Sequence, residues 1–159
     1  MVGTALYAQE GGYVILPAGW RDLSGLQTLQ KLAFPEDAWP LWDNIGILTL
    51  PNIIRLKAIV QEHLAGFLAA EYRSKDQAVW IAMVGVLPAY QKRGIGTALL
   101  SSCEQQAGHD TIRLCVRASN KSAQRLYLGL GYFVARNWQA YYHDGEDALV
   151  MEKHLPVFP

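Results

Sequence analysis

The stretch Val84-Gly-Val-Leu-Pro-Ala-Tyr-Gln-Lys-Arg-Gly-Ile-Gly-Thr-Ala-Leu-Leu100 organises the reading of the whole chain. An apolar run leads into a loop holding Gly94 and Gly96. A stripe of Ile95, Leu99, Leu100 and Cys103 follows at the spacing of an amphipathic helix. Glycines let the backbone curl until several N–H groups converge on one point, and the start of the helix adds the positive end of its dipole. A strand, loop and helix of this kind bind a pyrophosphate without many basic side chains. Two other phosphate loops do not fit. A dinucleotide fingerprint needs glycine or alanine where Leu99 stands, and an acidic ribose partner where Leu114 to Val116 are uncharged. A P-loop needs Gly-Lys-Ser/Thr, and here Gly96 is followed directly by Thr97. A glycine-rich turn with no ligand is the remaining alternative.

Working outward, residues 78–87 are apolar on both faces, as suits a strand at the centre of a sheet, and Pro88 ends them. Residues 53–60 and 65–72 flank a polar turn and read as a hairpin. Before them, residues 13–16 form a short β-type run. A helix capped by Asp22 or Ser24 runs to about Ala33 with Leu23, Leu26, Leu29 and Leu32 on one side. Pro35, Pro40 and Pro51 exclude a long helix over 34–52 and imply a helix–loop region. Downstream come a strand over 111–117, a short helix over 121–130, and a hairpin of 132–142 with 147–155 around the turn 143–146. The expectation is a single α/β domain: a mixed central sheet flanked by helices, not a doubly wound one.

Composition sets outer bounds. The chain has 159 residues, 51% hydrophobic and 18% charged, enough for one folded domain with one core. Fourteen basic side chains balance fourteen acidic ones, which argues against nucleic-acid binding through a basic surface. No apolar window is long enough to span a membrane, and MVGTALYAQEGG lacks the regions of a signal peptide. Cys103 and Cys115 are the only cysteines and read as reduced thiols. The expectation from these observations is a soluble cytoplasmic domain without nucleic-acid or membrane partners; for its assembly, monomer and homodimer both stay open.

The flanks of the glycine loop resemble the GNAT superfamily of acyl-CoA-dependent N-acetyltransferases. Its signature Gln/Arg-x-x-Gly-x-Gly/Ala appears as Gln91-Lys92-Arg93-Gly94-Ile95-Gly96. A second motif follows in order: Asn120-Lys-Ser-Ala-Gln-Arg-Leu-Tyr127, then Leu130-Gly131-Tyr132. The resemblance spans about residues 13–155. It implies that acetyl-CoA is the cosubstrate, with no metal, and that the backbone from Gln91 to Gly96 holds its pyrophosphate. It also implies that the strand residues Val84 and Val86 pair with the pantetheine arm, that Asn120 meets that arm, and that Tyr127 protonates the departing sulfur. A phenol of pKa about 10 suits that role at neutral pH. Each position also has a plainer reading: sheet core for the valines, a helix cap for Asn120, packing for Tyr127.

On the amine side, Tyr141-Tyr142-His143-Asp144-Gly145-Glu146-Asp147-Ala148, Phe34-Pro35 with Trp39, and Arg117-Ala118-Ser119-Asn120 resemble the protein N-terminal acetyltransferases. The likeness is greatest to the bacterial ribosomal-protein alanine (RimI) type. It implies that Tyr141, Tyr142 and the loop at Phe34 grip a peptide N-terminus. One departure matters: Cys115 stands where that group carries its acidic general base, and a thiol of pKa about 8.5 replaces it poorly. Glu36 is the candidate substitute, with a solvated loop residue as the alternative. A small-molecule amine acetyltransferase and a non-catalytic acyl-CoA sensor are the competing functions.

Overall fold

The computed structural model describes residues 7–9 and 11–156, so most of the amino-terminal stretch read for a leader lies outside the described residues. Along the chain come β1 (Tyr7–Gln9), β2 (Tyr13–Pro17), α1 (Leu23–Ala33), α2 (Leu41–Thr49), β3 (Ile53–Val60), β4 (His63–Arg73) and β5 (Ala78–Val86). Then follow α3 (Ile95–Gln106), β6 (Thr111–Arg117), α4 (Lys121–Gly129), β7 (Phe133–Trp138) and β8 (Ala148–His154). The strands form one sheet in the order β1-β2-β3-β4-β5-β6-β8-β7. The mixed α/β architecture is the expected one, with β5 at its centre.

Alternation along the strands sends side chains to two layers. Ile15, Leu56, Leu68, Val79 and Ile112 pack against Ile95, Leu99, Leu100 and Cys103 of α3. On the other face, Phe67, Ala69 and Met83 meet Leu26 and Leu29 of α1 and Ile47 and Leu48 of α2. Leu32 departs from the expected stripe: it is 58% exposed, whereas Leu26 and Leu29 are fully buried. Steps of three residues fall short of the helical turn of about 3.6, so successive leucines rotate off the buried side. Pro40 starts α2, which fills the proline-rich region with one short helix. Asp22 stands at the start of α1, but its carboxylate accepts from the Gly19 N–H at 2.9 Å and from Lys57 at 2.8 Å instead of capping the first turn. At the β3–β4 turn Gln61 and Glu62 both have positive φ, the geometry of a tight two-residue hairpin.

The sheet opens at its centre. β5 runs parallel to β6 only through Val79↔Ile112, Trp80↔Arg113 and Ile81↔Leu114. Against β4, Ala69 faces Met83 and Ala70 faces Ile81, so Ala82 is an extra residue in the ladder. Such a bulge sharpens the local twist. Past it, β5 stays with β4 while Cys115, Val116 and Arg117 stay with β8. Among the described residues, no strand fills the gap between them.

The terminal hairpin differs from the expected one. β7 ends at Trp138, and Tyr141 and Tyr142 lie in the loop before β8 instead of on a strand. Ala140 takes a positive φ and gives its N–H to Asp147 Oδ1 at 2.9 Å. Tyr142 N–H donates to the Glu146 carbonyl at 3.1 Å, and Gly145 N–H to the Tyr142 carbonyl at 2.9 Å. These local bonds draw residues 139–147 off the ladder.

Two glycines allow the layers to approach. A Cβ on Gly66 would lie 3.0 Å from Ile95 of α3, and one on Gly85 would lie 2.5 Å from the Phe34 ring on the opposite face. Gly85→Ala should push that ring off the strand, at an overpacking cost of about 1–3 kcal/mol. Alanine's gain over glycine in a strand offsets about 0.5–1 kcal/mol of this. Calorimetry should therefore show Tm lowered by a few degrees, at about 2–4 °C per kcal/mol for a domain of this size. Gly19→Ala, with open space around its Cβ position, is the control and should move little. Equal melting of both variants would show that the Phe34 contact carries no weight.

Candidate active site

Gly94 adopts φ +84 as the N-cap of α3, and Lys92 before it also has positive φ. This double reversal turns the chain from the end of β5 into the helix. Ala98 N–H makes a helical bond to the Gly94 carbonyl at 3.0 Å, so the N–H groups of Ile95, Gly96 and Thr97 precede it and point out of the helix start. Tyr13, from β2, donates to the Gly94 carbonyl at 3.3 Å and anchors the turn from below. Gln91 Nε2 donates to the Val86 carbonyl at 3.2 Å, tying the loop back to the strand. Gly96 leaves its cradle open: a Cβ there would meet Leu126 at 3.5 Å and Val86 at 3.9 Å, ordinary contacts.

A cavity of about 360 Å³ lies over this helix start. Val84, Val86, Gln91, Lys92, Gly94, Ile95 and Gly96 line it, together with Asn120, Tyr127 and Phe34. Arg93 is the exception. Its guanidinium turns to the Ala89 carbonyl at 3.4 Å and stacks over Tyr90 at 5.3 Å.

Asn120 caps α4, its Oδ1 accepting from Ala123 N–H at 3.1 Å, so the plainer reading of this residue holds while it also faces the cavity. Gln124 fixes the helix to the end of β6 by donating to the carbonyls of Arg117 at 3.0 Å and Ala118 at 2.9 Å. Thus held, α4 directs Tyr127 inward. Tyr127 is 7% exposed, and its hydroxyl makes no hydrogen bond among the described residues. Its neighbour Tyr132, with ring centroids 6.0 Å away, is instead bonded to Glu104 at 3.1 Å. Burial pushes the Tyr127 phenol up to about 12, so it stays protonated across the working pH range.

A second cavity, of about 1070 Å³, adjoins the first along β5. β5 lines it with Trp80, Ile81 and Ala82, and lines the smaller cavity with Val84, Gly85 and Val86. Glu36, Tyr141, Tyr142 and Cys115 all face the larger one. Glu36 is exposed, with no ion pair or hydrogen bond among the described residues. Burial pushes the Cys115 thiol up to about 11, with Arg73 opposing, so it is a neutral thiol at physiological pH and neither a base nor a nucleophile.

Arg117 joins the walls of this cavity, a role that the sequence reading missed. Its guanidinium grips Asp37 with two bonds, at 2.8 and 2.7 Å, and reaches Asp144 at 2.8 Å and Glu146 at 3.1 Å. It also lies 4.0 Å over the Tyr142 ring. Ser119 adds its N–H and hydroxyl to Glu146, each at 2.9 Å. These hydroxyl and backbone bonds, with Arg117, hold the Glu146 carboxyl below its usual range. The Glu146 N–H and then Arg117 do the same for Asp144. The sequence offered only a weak signal, the acids Asp144 and Glu146 after Tyr142, which in a turn are equally satisfied by water. Among the described residues, no cluster of three or more His, Cys, Asp or Glu side chains is placed to hold a metal.

The family model of the acetyltransferase (GNAT) family matches residues 20–132. The catalytic subunit of the N-terminal acetyltransferase A complex of Arabidopsis thaliana is 30% identical over 141 residues, spanning 84% of this chain and 73% of that protein. The alanine N-acetyltransferase of ribosomal protein bS18 from Salmonella typhimurium is 30% identical over 149 residues, spanning 89% of this chain and 91% of that protein. In the crystal, the ribosomal-protein-S18-alanine N-acetyltransferase of Escherichia coli has the same fold, with a TM-score of 0.83 at 25% identity over 92% of this chain and 96% of that one. Loop, fold and relatives lead to one assignment: the chain belongs to the GNAT acetyltransferase family and is an N-acetyltransferase with acetyl-CoA as its cosubstrate.

Proposed function

We propose that this enzyme acetylates the α-amine of a protein or peptide N-terminus by direct transfer from acetyl-CoA. The observation that carries this reading is the pair of cavities adjoining along β5. One has the helix start and the unbonded Tyr127 hydroxyl; the other has Glu36, Tyr141 and Tyr142. The names of the Arabidopsis and Salmonella relatives support the choice of amine. The two free cysteines suit a reducing cytoplasm.

In this reading, the N–H groups from Gln91 to Gly96, with the Thr97 N–H, receive the pyrophosphate. The backbone edge of β5 past Ala82 pairs with the pantetheine arm, while Lys92 and Asn120 flank it. The amine arrives through the larger cavity, gives up a proton to Glu36 or to water, and attacks the thioester carbonyl. A carbon–nitrogen bond forms, the carbonyl oxygen takes on charge near the free N–H groups of β5, and, as the nitrogen releases its second proton to water, the carbon–sulfur bond breaks and the sulfur leaves as a thiolate. The Tyr127 phenol, near 12, is a far weaker acid than a thiol of about 8.5, so complete proton transfer is uphill by roughly a thousandfold or more. Its main contribution is therefore a hydrogen bond that strengthens as the sulfur gains charge. Tyr141 and Tyr142 border the peptide backbone.

Gly96→Glu tests the loop, because the protein leaves room for its Cβ while the rest of the side chain brings bulk and negative charge to the cavity where a pyrophosphate would bind. Calorimetry should show acetyl-CoA affinity at least about tenfold weaker, and unchanged affinity would defeat the assignment. Tyr127→Phe should lower kcat by about ten- to thousandfold with little change in acetyl-CoA affinity. Normal turnover would make Tyr127 a packing residue.

Short peptides with a free α-amine should be acetylated, and the same peptides blocked at the N-terminus but carrying lysine should not. At pH 7 an α-amine of pKa about 8 is roughly 10% neutral, whereas a lysine near 10.4 is under about 0.1% neutral. The rate should climb toward pH 8 as the amine loses its proton, with no descending limb near pH 9 because Tyr127 titrates only near 12. Tyr141→Ala or Tyr142→Ala should raise KM for peptide more than for acetyl-CoA, and Glu36→Gln should lower kcat chiefly at neutral pH. Efficient acetylation of a polyamine or aminoglycoside, with no activity on any N-terminal peptide, would replace this reading with a small-molecule enzyme.

A further inference from the structure

Trp39 lies between two helices in an irregular segment, yet both of its backbone polar groups are held by buried side chains. Its N–H donates to Gln30 Oε1 at 3.2 Å, and its carbonyl accepts from Asn44 Nδ2 at 3.3 Å. Gln30 on α1 and Asn44 on α2 are each 1% exposed. They also bond each other reciprocally, Gln30 Nε2 to Asn44 Oδ1 at 2.8 Å and Asn44 Nδ2 to Gln30 Oε1 at 3.0 Å. The second Gln30 Nε2 hydrogen points to Met83 Sδ at 3.2 Å.

Two carboxamides in an apolar layer are costly to bury, and leucine or methionine fills the space between helices more simply. The rest of the α1–α2 contact does use apolar side chains, Leu26 and Leu29 against Ile47 and Leu48. What amides add is a grip on the Trp39 backbone, and through it on residues 34–40. That segment seats the Phe34 ring on Gly85, brings Glu36 to the larger cavity and offers Asp37 to Arg117. The third contact of the pair, Met83, is the β5 residue next to the bulge at Ala82, where the sheet opens.

We propose that Gln30 and Asn44 are positioning residues for acetyl transfer, locking the segment that carries Glu36 to β5 at the point where the amine meets the thioester. This rests on the proposed function in taking the larger cavity as the amine side. Arg117 holds the same segment from the exposed side, through Asp37, so the two grips are independent.

The test replaces both amides at once by apolar side chains of similar size, Gln30→Met with Asn44→Leu, which leaves neither without the other. Acetyl-CoA affinity should stay close to wild type, because Phe34 is the one residue of segment 34–40 that lines the cosubstrate cavity. Tm should fall by a few degrees, because the Trp39 N–H and carbonyl lose their side-chain partners. The kcat/KM for an N-terminal peptide should fall at least about tenfold, as small misplacements of reacting groups do. A folded double variant with wild-type kcat/KM overturns the proposal and leaves the pair as core packing. Should that variant not fold, amide exchange in the wild type decides. The Trp39 N–H should exchange at least about a hundredfold more slowly than those of Glu36 and Ala38, which make no backbone bond. Exchange at the rate of those neighbours also overturns it. A wild type that turns over no N-terminal peptide refutes the proposed substrate instead, and the same comparison is then made with the amine it accepts.

Discussion

β5 and β6 stay paired for three residues and then part, and the geometry of the site depends on that parting. Parallel strands ordinarily continue together because each unmade ladder bond leaves a polar group unsatisfied. Here the extra residue Ala82 twists β5 toward β4, while β6 is kept straight by seven pairs with β8. A cleft lined by backbone N–H and carbonyl groups results at the centre of an otherwise closed sheet. Such an edge would be an aggregation hazard at the rim of a sheet. At the centre it is flanked by helices on both faces and bordered by the two cavities.

The same parting explains why the chemistry divides as it does. On the α3 side the sheet supplies a helix start, the left-handed residues Lys92 and Gly94 and a buried phenol, with no carboxylate among the lining residues. On the α1–α2 side it supplies aromatic rings and carboxylates, with Arg117 as the cation shared by Asp37, Asp144 and Glu146. A guanidinium can serve three carboxylates because its fork presents five donors in a plane. Replacing it with lysine would keep the charge and lose that geometry. Asp37, at the larger cavity, thus belongs to a charge cluster, while the backbone of nearby Trp39 is held by a pair of neutral amides.

Tyr127 and Tyr132 show how little separates packing from chemistry. Both are buried tyrosines within five residues of each other, and burial raises both phenols. Tyr132 spends its hydroxyl on Glu104, which Lys153 also grips at 2.9 Å. Tyr127 keeps its own free at the cavity. Sequence spacing from Asn120 pointed to Tyr127, and the hydrogen-bond pattern distinguishes its available hydroxyl from the used one of Tyr132.

What the sequence determined by itself was local. The double-sided apolar run at β5, the glycine loop and the stripe of α3 all express period and backbone freedom, which act over a few residues. That was enough for the α/β class, for the glycine loop at the start of α3 and for the order of the elements. Its errors were also local ones: Leu32 followed a spacing of three that drifts off the helix face, and the strand assigned to Tyr141 and Tyr142 yielded to bonds from Asp147 and Glu146. Tertiary structure alone decided that Arg117 grips Asp37, 80 residues away, and that Gln30 and Asn44 hold the backbone of Trp39. It likewise decided that Gly85 must lack a side chain because Phe34 lies on it. Partnerships of this kind depend on which groups are buried together, and burial is a property of the whole packed sheet.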